Sequence, residues 1–155
     1  EFRRVLFRST ARVPTKKCDP YGQGGMPLDY ETSMTLIKTL NPQWDLKLNP
    51  RENLDDTTSS NKPLSLHREF LHLDFISGSK FLALIAALAH NNNHFPEISL
   101  KRRLQKDAKA WEIVSSIDCY TPMLHGLSHH DFHLACMVDV ETSRPEVQRL
   151  FLLIK

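Results

Sequence analysis

An α+β fold is what this sequence predicts, on three observations. Helical and strand periodicities alternate along the chain in the order helix, two strands, helix, two strands, helix. Apolar residues recur every three or four positions in the helical runs and every second position in the strand runs, the spacings that put one side of each element on a core. The 155 residues, 41% hydrophobic and 25% charged, suit one domain with a modest core. Strands interspersed with helices on one face give an α+β sandwich.

The first helix is expected over "LDYETSMTLIKTL", with Leu28, Met34, Ile37 and Leu40 roughly on one side. It has to end before Asn41-Pro42, because a residue preceding proline avoids the α region. "QWDLKLN" alternates Trp44, Leu46 and Leu48 against Asp45 and Lys47, a half-buried strand. A polar loop over 50–63 leads to "LSLHREFLHLDF", a second strand apolar on parts of both faces. In "KFLALIAALAHNNNH", Phe81, Leu84, Ile85 and Leu88 fall at i, i+3, i+4 and i+7, and four alanines add helix propensity. "PEISL" reads as a short third strand, "KRRLQKDAKA" as a charged turn, and "WEIVSSIDCY" as a fourth strand with Trp111 in the core. "GLSHHDFHLACMVDV" opens a last core helix, Ser128 and Asp131 having the spacing of a capping box. "RPEVQRLFLLIK" predicts a further C-terminal helix within an extension over 141–155.

Composition excludes several function classes. The net charge of +2 is too small to argue for nucleic acid, and the basic excess sits largely in the first 17 residues. No apolar run reaches the ~18 residues that cross a bilayer. Cys18, Cys119 and Cys136, odd in number and without CxxC spacing, read as reduced thiols. That suits a cytoplasmic protein, with nuclear and mitochondrial settings left open. "EFRRVLFRS", residues 1–9, imitates a basic presequence, but it can be encoded by the end of a common sequencing adapter; it is expected to be an artefact. Residues 10–27, rich in Pro, Gly and Lys, read as a flexible leader before a domain at 28–140.

Within that domain, "HNNNHFPEISL", "WEIVSSIDCYTP" and "HGLSHHDFHLACMVD" follow one another in a specific order. Together with "NPQWDL" and "LHREFLHLDF" they resemble the pterin-4a-carbinolamine dehydratase family over about residues 28–140. Its hallmark is an acid, three residues, His-His-Pro-Glu, an aromatic in a strand, a Thr-His, a Gly-Leu-Ser/Thr turn and a helical Asp. The resemblance implies a four-stranded antiparallel sheet with three helices on one face, assembled as a homodimer or homotetramer. It implies removal of water from a 4a-hydroxytetrahydropterin, giving the quinonoid dihydropterin, with neither metal nor organic cofactor. That chemistry delivers a proton to the departing hydroxyl and withdraws one from a ring nitrogen near neutral pH, where imidazole titrates.

Carried over by position, His94 stands at the first active-site histidine, Phe95 at the second, Thr121 at the third, and His90 at the acid. His94 is thus the principal acid/base, with His90, one helical turn earlier, and His125, four residues beyond Thr121, as further catalytic candidates. Phe95, Pro96, Glu97 and Thr121 are the expected substrate contacts, Phe95 offering a flat ring to a flat pterin. A lost general acid or base costs ~10²–10⁴ in rate, so the two substitutions raise a second reading. In it the chain keeps the fold as a non-catalytic dimerisation or coactivator-type protein with a protein partner. His90 with His94, and His129 with His133, have i, i+4 spacing suited to a metal, but no third ligand is fixed and no metal site is expected.

Overall fold

The computed structural model describes residues 21–48, 64–107 and 109–152; segment 1–9, the leader up to residue 20, residue 49 with the loop over 50–63, residue 108 and residues 153–155 lie outside them. Their elements run α1 (Tyr30–Ile37), β1 (Asp45–Leu48), β2 (Leu64–His72), α2 (Phe75–Asn91), β3 (Glu97–Gln105), β4 (Ala110–Cys119), a 3-10 turn (Pro122–Leu124), α3 (His129–Thr142) and α4 (Pro145–Gln148). The strands form one antiparallel sheet in the order β1-β2-β4-β3, with the helices on one side. This is the α+β architecture that the alternating periodicities predict.

Strand alternation sorts the side chains. Leu66 and Phe70 on β2 and Ile117 and Cys119 on β4 face the helices and meet Phe81, Ile85 and Leu88 of α2 and Phe132, Leu134, Ala135 and Val138 of α3. Phe81 is wholly buried with its ring 4.7 Å from that of Phe70, so truncating it to alanine would cost about 3–5 kcal/mol. The opposite face is polar. There His67 pairs with Asp118 at 2.7 Å, Ser99 with Ser116 at 2.8 Å, and Arg103 reaches Glu69 at 2.7 Å.

Four expectations need correction. The charged stretch at 101–103 is strand, not turn: β3 runs to Gln105, and Lys101 and Arg103 point to the polar face toward Glu69. Trp111 is not core; it is 57% exposed, with the Arg102 guanidinium 4.1 Å from its ring centre. Helix α2 begins at Phe75 rather than Lys80, since Asp74 accepts the Ser77 N–H at 2.7 Å and caps it. The C-terminal helix spans only Pro145–Gln148. Beyond it the Leu152 N–H donates to the Leu71 carbonyl at 2.9 Å, and Phe151 bridges His72 and stacks on Phe70. Among the described residues no helix is long and apolar enough to cross a membrane.

Candidate active site

The three asparagines after His90 end α2 and aim the next residue. Asn93 takes the left-handed conformation, φ +48°, which asparagine tolerates better than other side-chain-bearing residues. The Asn93 N–H then donates to the His90 carbonyl and the His94 N–H to the Ala89 carbonyl, each at 3.1 Å. These two bonds make a Schellman closure. It satisfies orphan carbonyls and turns the chain off the helix axis at His94, and Pro96 prevents the helix from resuming.

His94 meets a carboxylate. Its Nε2 lies 2.7 Å from Asp131 Oδ1, with the imidazole 11% exposed and the carboxylate wholly buried. Asp131 sits in the first turn of α3. Its Oδ2 accepts the Ser128 N–H at 2.7 Å, half of the capping box that the spacing predicts. The same oxygen lies 2.7 Å from Thr121 Oγ1 and 3.0 Å from Ser128 Oγ, and those hydroxyls are 2.8 Å apart. Each hydroxyl owns one proton, so two protons serve three oxygen–oxygen contacts. Whichever way they point, at least one hydroxyl donates to the carboxylate. A buried carboxylate needs such donors, since its desolvation is otherwise prohibitive.

The turn between β4 and α3 supplies two of these donors. Thr121 and Gly126 pair through their backbones, with Thr121 N donating to the Gly126 carbonyl at 3.0 Å, and His125 takes the left-handed position, φ +50°, near the tip. Gly126 is required there, because a Cβ on it would fall 2.6 Å from Pro27 Cβ. The segment from Tyr21 to Leu28 therefore lies directly on this turn. Leu28 N donates to the Leu127 carbonyl at 2.9 Å, and the His129 N–H to Gln23 Oε1 at 3.0 Å.

His94 and Thr121 are thus brought together through Asp131. Phe95 is 63% exposed beside them, Pro96 half-buried, and Glu97 opens β3. His90 is exposed on the last turn of α2 and makes no hydrogen bond to the Asp131 network; His125 is exposed on its turn. Asp131, the helical Asp of the resemblance, is expected from its spacing to act as a cap; the fold gives it His94 as a second partner. His130 is not singled out by the sequence. The His130 ring stands 5.8 Å from that of His94, and its neighbours His129 and His133 had drawn attention by their metal-like spacing. Among the described residues no group of three or more His, Cys, Asp or Glu side chains is arranged to hold a metal ion. Cys119 is wholly buried nearby; burial, then the Asp131 and Asp118 charges, push its thiol well up, so it stays protonated.

A cleft of about 450 Å³ opens elsewhere, lined by Arg68, Glu69 and Asp139 among others. The Arg68 guanidinium is already committed to Asp139 and Gln43, and an arginine does not exchange protons near neutrality. The His94 imidazole, by contrast, is a group able to exchange a proton. With Nε2 held by Asp131, Nδ1 is the ring atom left to take or give a proton, and the carboxylate behind it offsets the charge formed.

No family model matches the chain. It is 27% identical over 133 residues to "Pterin-4-alpha-carbinolamine dehydratase 2, mitochondrial" of Arabidopsis thaliana, covering 86% of this chain and 60% of that protein. It is 24% identical over 131 residues to a "Putative pterin-4-alpha-carbinolamine dehydratase" of Rickettsia bellii, covering 84% of this chain and 95% of that one. The chain is thus similar to pterin-4-alpha-carbinolamine dehydratases over most of its length, and it spans about three fifths of the Arabidopsis protein. The fold agrees: a crystal structure of a transcriptional coactivator/pterin dehydratase from Brucella melitensis superposes with a TM-score of 0.51 at 19% identity, covering 74% of this chain and 96% of that one.

Proposed function

We propose that this chain dehydrates a 4a-hydroxytetrahydropterin to the quinonoid dihydropterin, with His94 as its principal acid/base. The observation that carries the reading is the half-buried imidazole of His94 held by the buried carboxylate of Asp131. The names of its relatives support the substrate class. Phe95, Pro96 and Glu97 supply the substrate face, the exposed Phe95 ring lying against the flat pterin. Thr121 acts indirectly, through Asp131. His90 and His125, both exposed, are assigned to the rim, and the scheme uses no cofactor. A homodimer or homotetramer belongs to the same proposal. It is supported by the edge strand β3, nine residues long and exposed at all but Leu100, and light scattering on the purified chain checks it.

Stopped-flow dehydration by the purified chain tests the activity. His94→Ala is expected to lose about 10²–10⁴ in kcat, the usual cost of a missing general acid or base. Equal rates for the two proteins would remove His94 from the mechanism.

A second reading keeps the fold for protein contacts alone. It is favoured by Phe95 and by Thr121, whose hydroxyl is too weak an acid to replace imidazole. The solved neighbour, described as a transcriptional coactivator/pterin dehydratase, couples the two roles by name. Pterin binding by calorimetry without turnover would favour this reading.

A further inference from the structure

Dehydration at the pterin ring needs two proton transfers at adjacent atoms, and His94 can perform one of them. The groups around it offer few second candidates. Asp131 is wholly buried, with Oδ1 on His94 and Oδ2 on Ser128 and Thr121. Thr121 and Ser128 are buried, and hydroxyls are poor acids near neutral pH. The Cys119 thiol is wholly buried and pushed well up. His90 is exposed one turn back along α2.

His130 differs from all of these. It immediately precedes Asp131 in the first turn of α3, so one helical turn sends a carboxylate inward behind His94 and an imidazole outward beside it. The two imidazoles meet edge to face, ring centres 5.8 Å apart and planes inclined by 64°. On its far side His130 meets the Tyr21 ring, also edge to face, at 5.4 Å and 75°. Tyr21 is placed by a segment that the Gln23 contact with the His129 N–H and the Leu28 contact with Leu127 tie to α3 and its preceding turn. An exposed imidazole seated between two rings adds little to the core, and it stands beside the ring of His94.

We propose that His130 is the second proton-transfer group of this site, in place of the histidines that Phe95 and Thr121 replace. The inference rests on the dehydratase reading and adds to it. In the step, the His130 imidazolium gives its proton to the 4a-hydroxyl as the C4a–O bond breaks and the bonding pair leaves with the oxygen, forming water. His94 Nδ1 takes the proton from N5, and the N–H pair becomes the C4a=N5 double bond. One proton is given and one taken, and exchange with solvent returns both rings to their starting states. Two rings at this separation can each come within ~3 Å of neighbouring substrate atoms, the reach such transfers need.

The test uses the full chain and stopped-flow dehydration of wild type, His130→Ala and His130→Gln, with thermal melts as a check on folding. His130→Ala is expected to lose about 10²-fold in kcat with a far smaller change in KM and an unchanged melting temperature. Free imidazole in the buffer should restore about tenfold of that loss to His130→Ala, and nothing to His130→Gln, whose side chain still fills the space. Wild-type turnover with His130→Ala matching it overturns this proposal alone and leaves the dehydratase reading intact. A loss that imidazole does not restore likewise overturns it, by showing that the ring only packs. No turnover by the wild type sinks the dehydratase reading, and this proposal with it.

Discussion

At the N-terminal end of α3, Asp131 meets a histidine; at the C-terminal end, Asp139 meets an arginine. The two pairs share a helix and a chemistry, but their burial is reversed. Asp131 is wholly buried and its partner reaches the surface, whereas Arg68 is 5% exposed and Asp139 is half-buried. Arg68 bonds Asp139 at 2.5 Å and Gln43 at 2.8 Å, with its guanidinium 4.5 Å from the Phe70 ring centre. Asp139 also accepts from Trp44 Nε1 at 2.9 Å and the Asn41 N–H at 2.8 Å. That cluster ties the α1–β1 connection, β2 and α3 together. Burial lowers the Arg68 pKa and the Asp139 charge opposes the shift, but guanidinium starts so high that the pair stays ionic across the working range. A cation that never releases its proton makes a strut, and the Arg68 pair is one.

The largest difference to test is therefore in stability. Arg68→Ala strands the Asp139 charge in a half-buried place and is expected to cost about 3–5 kcal/mol in denaturant unfolding. His94→Ala, whose partner keeps the Ser128 N–H and at least one hydroxyl as donors, should cost less, about 1–3 kcal/mol. Comparable losses in the two melts would mean that the ends of α3 are not functionally distinct.

His72 is an intermediate case, a buried histidine held without a carboxylate. Its Nε2 lies 2.8 Å from Ser115 Oγ and its Nδ1 3.2 Å from the Leu150 carbonyl. Burial lowers its pKa below 6.5, with the Leu150 carbonyl and Asp74 opposing the shift. Between the folded value and 6.5 the unfolded chain binds more protons than the native one, so stability falls as the solution is acidified through that window. The slope from this one residue is at most about 1.4 kcal/mol per pH unit. In His72→Phe, which keeps the stacking on Phe81 and Phe151, that contribution should vanish. An unchanged acid slope would show that His72 is not its source.

The smallest effect concerns the described thiols. Exposed Cys136 should react with a disulfide reagent in the native protein and Cys119 only on unfolding, as peptide mapping would show. Prompt labelling of Cys119 would mean that the Asp131 neighbourhood opens to solvent.

Much of this arrangement is legible in the sequence where local rules and tertiary packing agree. The heptad-like spacing of Phe81, Ile85 and Leu88 and the Ser128–Asp131 cap both appear in the fold. The length of β3 was hidden because Arg102 occupies a position of the otherwise apolar alternation and is accommodated by lying over Trp111. For the same reason Trp111 resembled a core residue when it was covering an arginine. The start of α2 was written in Asp74 and Ser77, but exposed Phe75 and Ile76 disguised the first turn. At the C-terminus, helix propensity over 149–152 yields to pairing with the end of β2, which no local pattern reports. In the site, the position of His94 came from order and spacing. The roles of Asp131 and His130 rest on contacts across 37 and 36 positions, which only the closed fold reveals.

Thr121 is 1% exposed, and its Oγ1 is one corner of a triangle of oxygen atoms completed by Ser128 Oγ and Asp131 Oδ2. Thr121→His would replace the hydroxyl that contacts Asp131 Oδ2 and so disturb the carboxylate that holds His94. Position 121 and the carboxylate behind the His94 ring are therefore coupled: a change at the first is felt at the second without either touching a ligand.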